Sequence, residues 1–201
     1  MFNTEGGIER MMRLYLKALC DLATAEDEVH LAVLNDGPHH ALEFSLYHDR
    51  SLVSIIWGQR KRIRFVLRVV RAARHCDRVI CGHVHHLPLA DLAKRVHPKL
   101  KVYVVAHGIE VWRPWTLAER TAIGRGATVW AVSQHTATKI QDACPGIDKD
   151  AIQVIPNSLD PQRPSPPPAA PVPGLIITLT RLNGKDRYKG VDHLIEAMPT
   201  I

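Results

Sequence analysis

The chain has 201 residues, of which 46% are hydrophobic and 23% are charged, and its formal net charge is +6. This balance is typical of a globular protein that buries one core or slightly more, and it excludes an intrinsically disordered chain. No stretch approaches the roughly 20 consecutive apolar residues that span a bilayer. The N-terminus also lacks the basic-then-apolar pattern of a signal peptide, so we expect a cytoplasmic protein.

Short apolar runs alternate with helix-period patterns along most of the chain, an order typical of parallel strands joined by crossover helices. Strands are predicted at residues 29–34, 52–56, 78–81, 101–106, 128–132, 152–155 and 175–179, and helices at 8–23, 59–76, 87–97, 114–123, 134–143 and 189–198. The sequence therefore predicts an α/β protein with a doubly wound, mostly parallel Rossmann-like sheet.

The first predicted helix follows a diglycine, Gly6-Gly7, which lets backbone N–H groups approach a phosphate or a carboxylate. Such a loop normally follows a strand, so we expect the first strand of the sheet to be missing from this chain. We also expect its neighbours to have an unpaired edge, because that strand lies in the middle of the sheet.

The C-terminal part of the chain contains a proline-rich segment. Seven of the thirteen residues at 161–173 are proline, which predicts a semi-rigid linker. We expect the linker to join a Rossmann-like domain at residues 1–160 to an incomplete second Rossmann-like domain at residues 174–201.

Seven cationic residues and no acid occupy the segment from Arg60 to Arg74, with apolar residues at helical spacing. This pattern predicts a basic amphipathic helix that could meet anionic lipid headgroups or a phosphorylated acceptor. The alternative is a solvated helix face packed on a sheet. Nucleic acid is the weakest interpretation, because no aromatic residues interleave with the arginines, and we expect no nucleic-acid partner.

A histidine cluster, His83, His85 and His86 with Asp91 downstream, partly matches the HxHxDH ligands of metallohydrolases. Leu87 stands where that pattern needs its acid, so we expect no metal site and place His83 at a strand end lining a cleft. The four cysteines lack CxxC spacing and are expected to be reduced structural thiols.

The β-branched run at residues 101–106 stops at His107-Gly108 and is followed by Glu110. Ligands bind at the carboxyl ends of parallel strands, so His107 stands where a substrate is expected. The local sequence alone leaves a second interpretation open, in which histidine and glycine form an ordinary turn.

Six motifs in a fixed order carry a resemblance to a known family. They are GGIER at 6–10, GHVHHLPLA at 82–90, AHGIEVWR at 106–113, WAVSQHTA at 130–137, VIPNSLD at 154–160 and TRLNGKDRYKGVDHLIEAMP at 180–199. Together they resemble family 4 glycosyltransferases of the GT-B type, whose two facing Rossmann-like domains transfer a sugar from a nucleotide-diphosphate donor to an acceptor. The resemblance implies an enzyme of polysaccharide, glycolipid or cell-surface glycan synthesis.

The resemblance also implies residue roles. His107 would be the catalytic-site residue that contacts a hydroxyl of the transferred sugar, and Gly6 and Gly7 would admit the donor diphosphate and the acceptor. Arg181 and Lys189 would neutralise the departing diphosphate, with Lys185 or Arg187 as alternatives to Lys189. The candidate cleft residues are His83, Glu110, Ser133 and Asn157. Capping and turn-forming roles explain Ser133 and Asn157 nearly as well.

The family retains anomeric configuration without a required metal ion, so the resemblance implies no cofactor. It places a pair of glutamates, E-x7-E, in a part of the donor domain that this chain does not include. We therefore expect little transferase activity from this chain alone. The alternative is a non-enzymatic sugar- or phosphate-binding fragment. The expected partners are a nucleotide sugar and a glycan or lipid-linked acceptor, with peripheral contact at the inner membrane face.

Overall fold

The computed structural model describes residues 1, 6–38, 44–161, 167, 169–180 and 184–200. The chain divides into two units, Met1–Gln162 and Arg163–Ile201. The first unit contains the sheets and the buried core that position the candidate site.

The described residues of the first unit form six strands, all of which pair in parallel. The strands are β1 (Val29–Val33), β2 (Leu52–Trp57), β3 (Arg78–Cys81), β4 (Lys101–Ala106), β5 (Thr128–Ala131) and β6 (Ile152–Val154). They form a two-stranded sheet, β1-β2, and a four-stranded sheet in the order β3-β4-β5-β6. The predicted Rossmann-like α/β class is confirmed. Within the described part of the chain, β1 and β3 each keep one edge without a neighbouring strand.

Helices follow most of the strands. They are α1 (Gly7–Leu22), α2 (Arg62–Ala72), α3 (Leu87–Val96), α4 (Leu117–Gly124) and α5 (Gln134–Ala143) in the first unit and α6 (Val191–Ala197) in the second. The main core lies on the four-stranded sheet, where the side chains of Val104, Val129 and Ile140 are fully buried. Because helices cover both faces of β4 and β5, the sequences of these two strands are largely apolar without alternation.

Helix α1 packs directly on the four-stranded sheet. A Cβ atom added to Gly82, just after β3, would lie 2.7 Å from the sulfur of Met12, so the side chain of Met12 packs closely against this glycine. Further along α1, the ring of Tyr15 stacks on that of Trp130 in β5, with centroids 5.9 Å apart. These contacts bring the start of α1 towards the carboxyl ends of the strands.

Two helices of the first unit begin later than predicted, for physical reasons. Helix α2 begins at Arg62 rather than at residue 59, because Gln59 and Arg60 have left-handed φ values of 47° and 62° that a helix cannot include. Helix α4 begins after Thr116, whose side chain accepts a hydrogen bond from the amide of Glu119 and closes a capping box.

The predicted strand at 175–179 does not form. A strand needs a neighbour for its backbone hydrogen bonds, and no described residue pairs with this segment. Its apolar side chains stay largely in solvent, with Leu179 99% exposed and Ile177 79% exposed. The last helix starts at Val191 rather than at 189, because Gly190 adopts a left-handed φ of 75°.

Candidate functional site

His107 lies directly after β4, where its ring is fixed by a backbone carbonyl. The ring Nε2 is 3.1 Å from the carbonyl oxygen of Gly82. A carbonyl only accepts hydrogen bonds, so Nε2 carries the proton. Burial lowers the pKa of His107, although the Gly82 carbonyl and the Glu110 and Glu9 carboxylates oppose that effect. The ring is therefore neutral at pH 7, and Nδ1 is left as a hydrogen-bond acceptor.

The backbone on either side of His107 is held by Glu110. The carboxylate oxygen Oε1 of Glu110 accepts hydrogen bonds from the amide of His107 at 2.6 Å and from that of Gly108 at 3.1 Å. Gly108 has a φ of +150°, which side chains rarely tolerate. The His107-Gly108 turn is thus built around both a glycine and a specific acid.

The N-terminus of α1 lies near His107. Gly6 is the N-cap, in an extended conformation and without a side chain that could cap the helix. The carboxylate of Glu9 folds back onto Gly6, where it would meet an added Cβ atom, and its charge acts on the His107 ring. Gly7 is exposed, and a Cβ added there would meet no atom within 4 Å. The start of α1 is therefore open on the side of Gly7, whereas the Glu9 carboxylate already occupies the space beside Gly6.

The three remaining first-unit candidates lie at the carboxyl ends of the neighbouring strands. The Nδ1 atom of His83, after β3, accepts a hydrogen bond from the amide of His85 at 3.2 Å. Ser133, after β5, caps α5 by accepting the amide of Thr136 at 3.1 Å. Asn157, after β6, is exposed. His83 and Ser133 thus have local capping roles, and they share the strand-end edge with His107.

The histidine cluster does not include its downstream acid. The Oδ2 atom of Asp91 is 3.0 Å from Arg95 and 2.6 Å from Arg125, so its charge is already paired. In the described part of the chain, no group of three or more His, Cys, Asp or Glu side chains is arranged to hold a metal ion. Burial, together with the neighbouring histidines, lowers the pKa of both His83 and His86, which favours their neutral forms.

The candidates of the second unit are only partly described. Arg181 lies outside the described residues, and so does the side chain of Lys185. Arg187 forms an ion pair with Asp192 at 2.8 Å. Lys189 is exposed and lies at the end of a 3-10 turn, Gly184–Lys189, rather than inside the helix that we predicted.

The basic segment forms helix α2 with an unusual exposed face. Ile63 and Leu67, one turn apart, are 81% and 67% exposed, and arginines flank them. Only Phe65 of this helix is buried. Over the described residues, no helix is both long enough and apolar enough to cross a membrane.

Sequence reasoning missed two partners of His107. The Gly82 carbonyl belongs to a strand that is a neighbour only in the folded sheet, and no spacing rule links it to residue 107. The involvement of Glu9 could have been inferred from its position in the first turn after the diglycine.

Residues 5–163, which make up most of the chain, match a family described as Glycosyltransferase Family 4. The chain belongs to this family. Its Rossmann-like α/β fold is similar to part of a GT-B glycosyltransferase, Anabaena HepE (Alr3699). The crystal structures of HepE with UDP and glucose and with UDP-glucose each give a TM-score of 0.53 at 20% identity, and the complex with UDP gives 0.55 at 18%.

Each of these matches covers 78% of this chain and 42% of HepE, so this chain spans less than half of the HepE length. A comparison with curated proteins gives no match.

Proposed function

We propose that this chain forms the acceptor-side part of a retaining hexosyltransferase. The enzyme transfers a sugar from a nucleoside-diphosphate sugar to a glycan or lipid-linked acceptor, in polysaccharide, glycolipid or cell-surface glycan synthesis in the cytoplasm. The observation that carries the proposal is the neutral ring of His107 at the end of β4, with Nδ1 left to accept a hydroxyl group. The family match and the fold of HepE support it.

In this proposal, the site stabilises the leaving group by charge and positions the sugar. His107 accepts a hydrogen bond from a hydroxyl of the transferred sugar and fixes the sugar's orientation. The amides at Gly6 and Gly7 face the diphosphate, and Arg181 and Lys189 neutralise its charge as it leaves. These cations take the role that a metal ion would otherwise have, so the proposal includes no cofactor. Attack by the acceptor on the face that the leaving group vacates retains the configuration.

The donor is proposed to be a nucleoside-diphosphate sugar, and HepE structures with UDP-glucose make that compound the first probe. We propose that this chain alone has little transferase activity, which agrees with its 42% coverage of HepE. Its affinity for UDP-glucose should then be no better than millimolar. A micromolar affinity in a calorimetric titration would contradict this part of the proposal.

Peripheral contact with an anionic membrane is proposed through the exposed face of α2. Ile63 and Leu67 can enter the headgroup region while the arginines around them meet lipid phosphates. This contact would place the acceptor site at the inner membrane face. Replacing Ile63 and Leu67 with serine should weaken sedimentation with phosphatidylglycerol vesicles, and unchanged sedimentation would contradict the contact.

The transferase site is tested by adding UDP-glucose to the ¹⁵N-labelled chain. We expect the amide signals of Gly6, Gly7, His107 and Gly108 to shift together with one weak affinity. His107→Ala should reduce these shifts, whereas the control His97→Ala, in the turn after α3, should leave them unchanged. Unchanged signals at the four amides in the original chain would contradict the proposed site.

A further inference from the structure

A cavity opens where β2 ends and α2 begins, and none of the residues assigned above to the sugar or the diphosphate lines it. Its volume is about 200 Å³, and it is partly open to solvent. Three cationic side chains, two aromatic rings and one amide side chain line it, together with Pro38 and Gly58. These lining side chains belong to Lys61, Arg64, Arg68, Trp57, Phe65 and Gln59.

Among the described residues, the cationic side chains at this cavity have no acidic partner. Lys61, Arg64 and Arg68 form no ion pair with any acid among the described residues, whereas Arg113 and Arg125 elsewhere in the same unit both do. Helix α2 has no acidic residue in its first turn, and its N-cap, Lys61, makes no side-chain capping bond. The positive end of the helix dipole and the side-chain cations therefore attract an anion to the same place.

The turn that shapes the cavity is held firmly. The amide of Gly58 donates to the carbonyl of Val33 at 2.8 Å, and that of Arg60 donates to Leu34 at 2.9 Å. A Cβ atom at Gly58 would lie 2.5 Å from the carbonyl oxygen of Leu34, so the turn packs against backbone. Gln59 and Arg60 are the non-glycine residues with positive φ in the described chain. The cavity is thus built on a fixed and locally strained backbone.

We propose that this cavity binds a phosphate or diphosphate group. Three cations around one opening suit a multiply charged anion, and the arginine forks can bind its oxygens in pairs. The Trp57 and Phe65 rings give the cavity an apolar wall against which the carbon part of a phosphorylated ligand can pack. The group comes either from a soluble phosphorylated acceptor or from the headgroup of a membrane lipid. This inference rests on the proposed transferase function, and it adds that the acceptor carries a phosphate or diphosphate group.

The test uses inorganic pyrophosphate in a calorimetric titration and phosphatidylglycerol vesicles in a sedimentation assay. The double variant Arg64→Gln/Arg68→Gln removes two cavity cations. Its matched control, Arg71→Gln/Arg74→Gln, removes the same charge from residues that do not line the cavity. We expect the cavity variant to weaken pyrophosphate binding by at least roughly tenfold, as the loss of one charged hydrogen bond would predict, with little change in the control.

The vesicle assay distinguishes the two sources. A soluble phosphorylated acceptor is supported if Arg64→Gln/Arg68→Gln weakens pyrophosphate binding and Ile63→Ser/Leu67→Ser leaves it unchanged. Vesicle binding lost in the cavity variant but kept in the control, without pyrophosphate binding, supports a lipid headgroup. Equal losses in both variants in every assay would overturn the proposal, because they would reflect net charge alone. Neither assay uses a sugar nucleotide, so this result is independent of the UDP-glucose test.

Discussion

At the scale of single residues, the site depends on the turn that carries His107. The imidazole is oriented by the Gly82 carbonyl of the neighbouring strand, and its backbone is fixed by Glu110. Glu110 is thus a positioning residue, since its carboxylate accepts hydrogen bonds from the backbone amides of His107 and Gly108. The stability of this turn should therefore depend on the Glu110 oxygen atom that accepts both hydrogen bonds.

We predict that Glu110→Ala destabilises the chain by about 1–3 kcal/mol, because the amides of His107 and Gly108 lose their acceptor. Glu110→Gln keeps an oxygen at Oε1 and should recover most of that stability. Urea unfolding of the two variants measures the difference. Equal destabilisation by alanine and glutamine would show that the charge, and not the two hydrogen bonds, supports the turn.

At the scale of elements, most of the first unit could be predicted. Strands at 78–81 and 101–106 match the structure residue for residue, because their β-branched runs are bounded by clear turn signals. The start of α2 could not be predicted, because tertiary hydrogen bonds to Val33 and Leu34 hold its first residues outside the helix. The segment at 175–179 has strand composition, but composition does not supply a pairing neighbour.

The candidate site was predictable to a similar degree. Because ligands bind at the carboxyl ends of parallel strands, we predicted His83, His107 and Ser133 at one edge of the sheet. The structure places their strands next to one another. The tautomer of His107 and the amide-holding role of Glu110 depend on three-dimensional contacts that the sequence does not show. The cavity at Trp57 could not be predicted either, because its walls come from a strand end, a turn and a helix face that meet only in the folded chain.

The four-stranded sheet owes its stability to tightly packed apolar side chains from α5 and the strands. Ile140 on α5 is fully buried, whereas Leu117 at the start of α4 is 82% exposed. We predict that Ile140→Ala lowers the free energy of unfolding by about 2–5 kcal/mol, through lost burial and the cavity left behind. Leu117→Ala should change it by no more than about 0.5 kcal/mol. Thermal or urea unfolding measures both, and similar losses would contradict the assigned core.

At the scale of the whole molecule, the first unit holds the core and the second is largely exposed. Burial lowers the pKa of three histidines in the first unit below the ordinary value of 6.5, namely His83, His86 and His107. Below pH 6.5 the unfolded chain takes up protons before the folded chain does. The contribution of these three histidines to folding stability is therefore fully present above that pH and is lost as the pH falls through the window beneath it.

We predict that the melting temperature falls between pH 7.5 and pH 5.5, with the steepest loss below about 6.5. His86→Gln should flatten this dependence, because the variant removes one buried group that must stay neutral in the folded state. His86 makes no side-chain capping bond at α3, so the exchange preserves the helix start. Scanning calorimetry across the pH series tests the prediction, and a melting temperature that rises on acidification would contradict it.

The central claim is that His107 is a neutral, Nε2-protonated imidazole whose Nδ1 accepts a sugar hydroxyl. The direct measurement is the ¹⁵N spectrum of the His107 ring at pH 7, with and without UDP-glucose. We expect the Nε2–H tautomer in the free chain and a shift of the Nδ1 signal when UDP-glucose is added. A protonated ring, the opposite tautomer, or an Nδ1 signal that UDP-glucose leaves unchanged would contradict it.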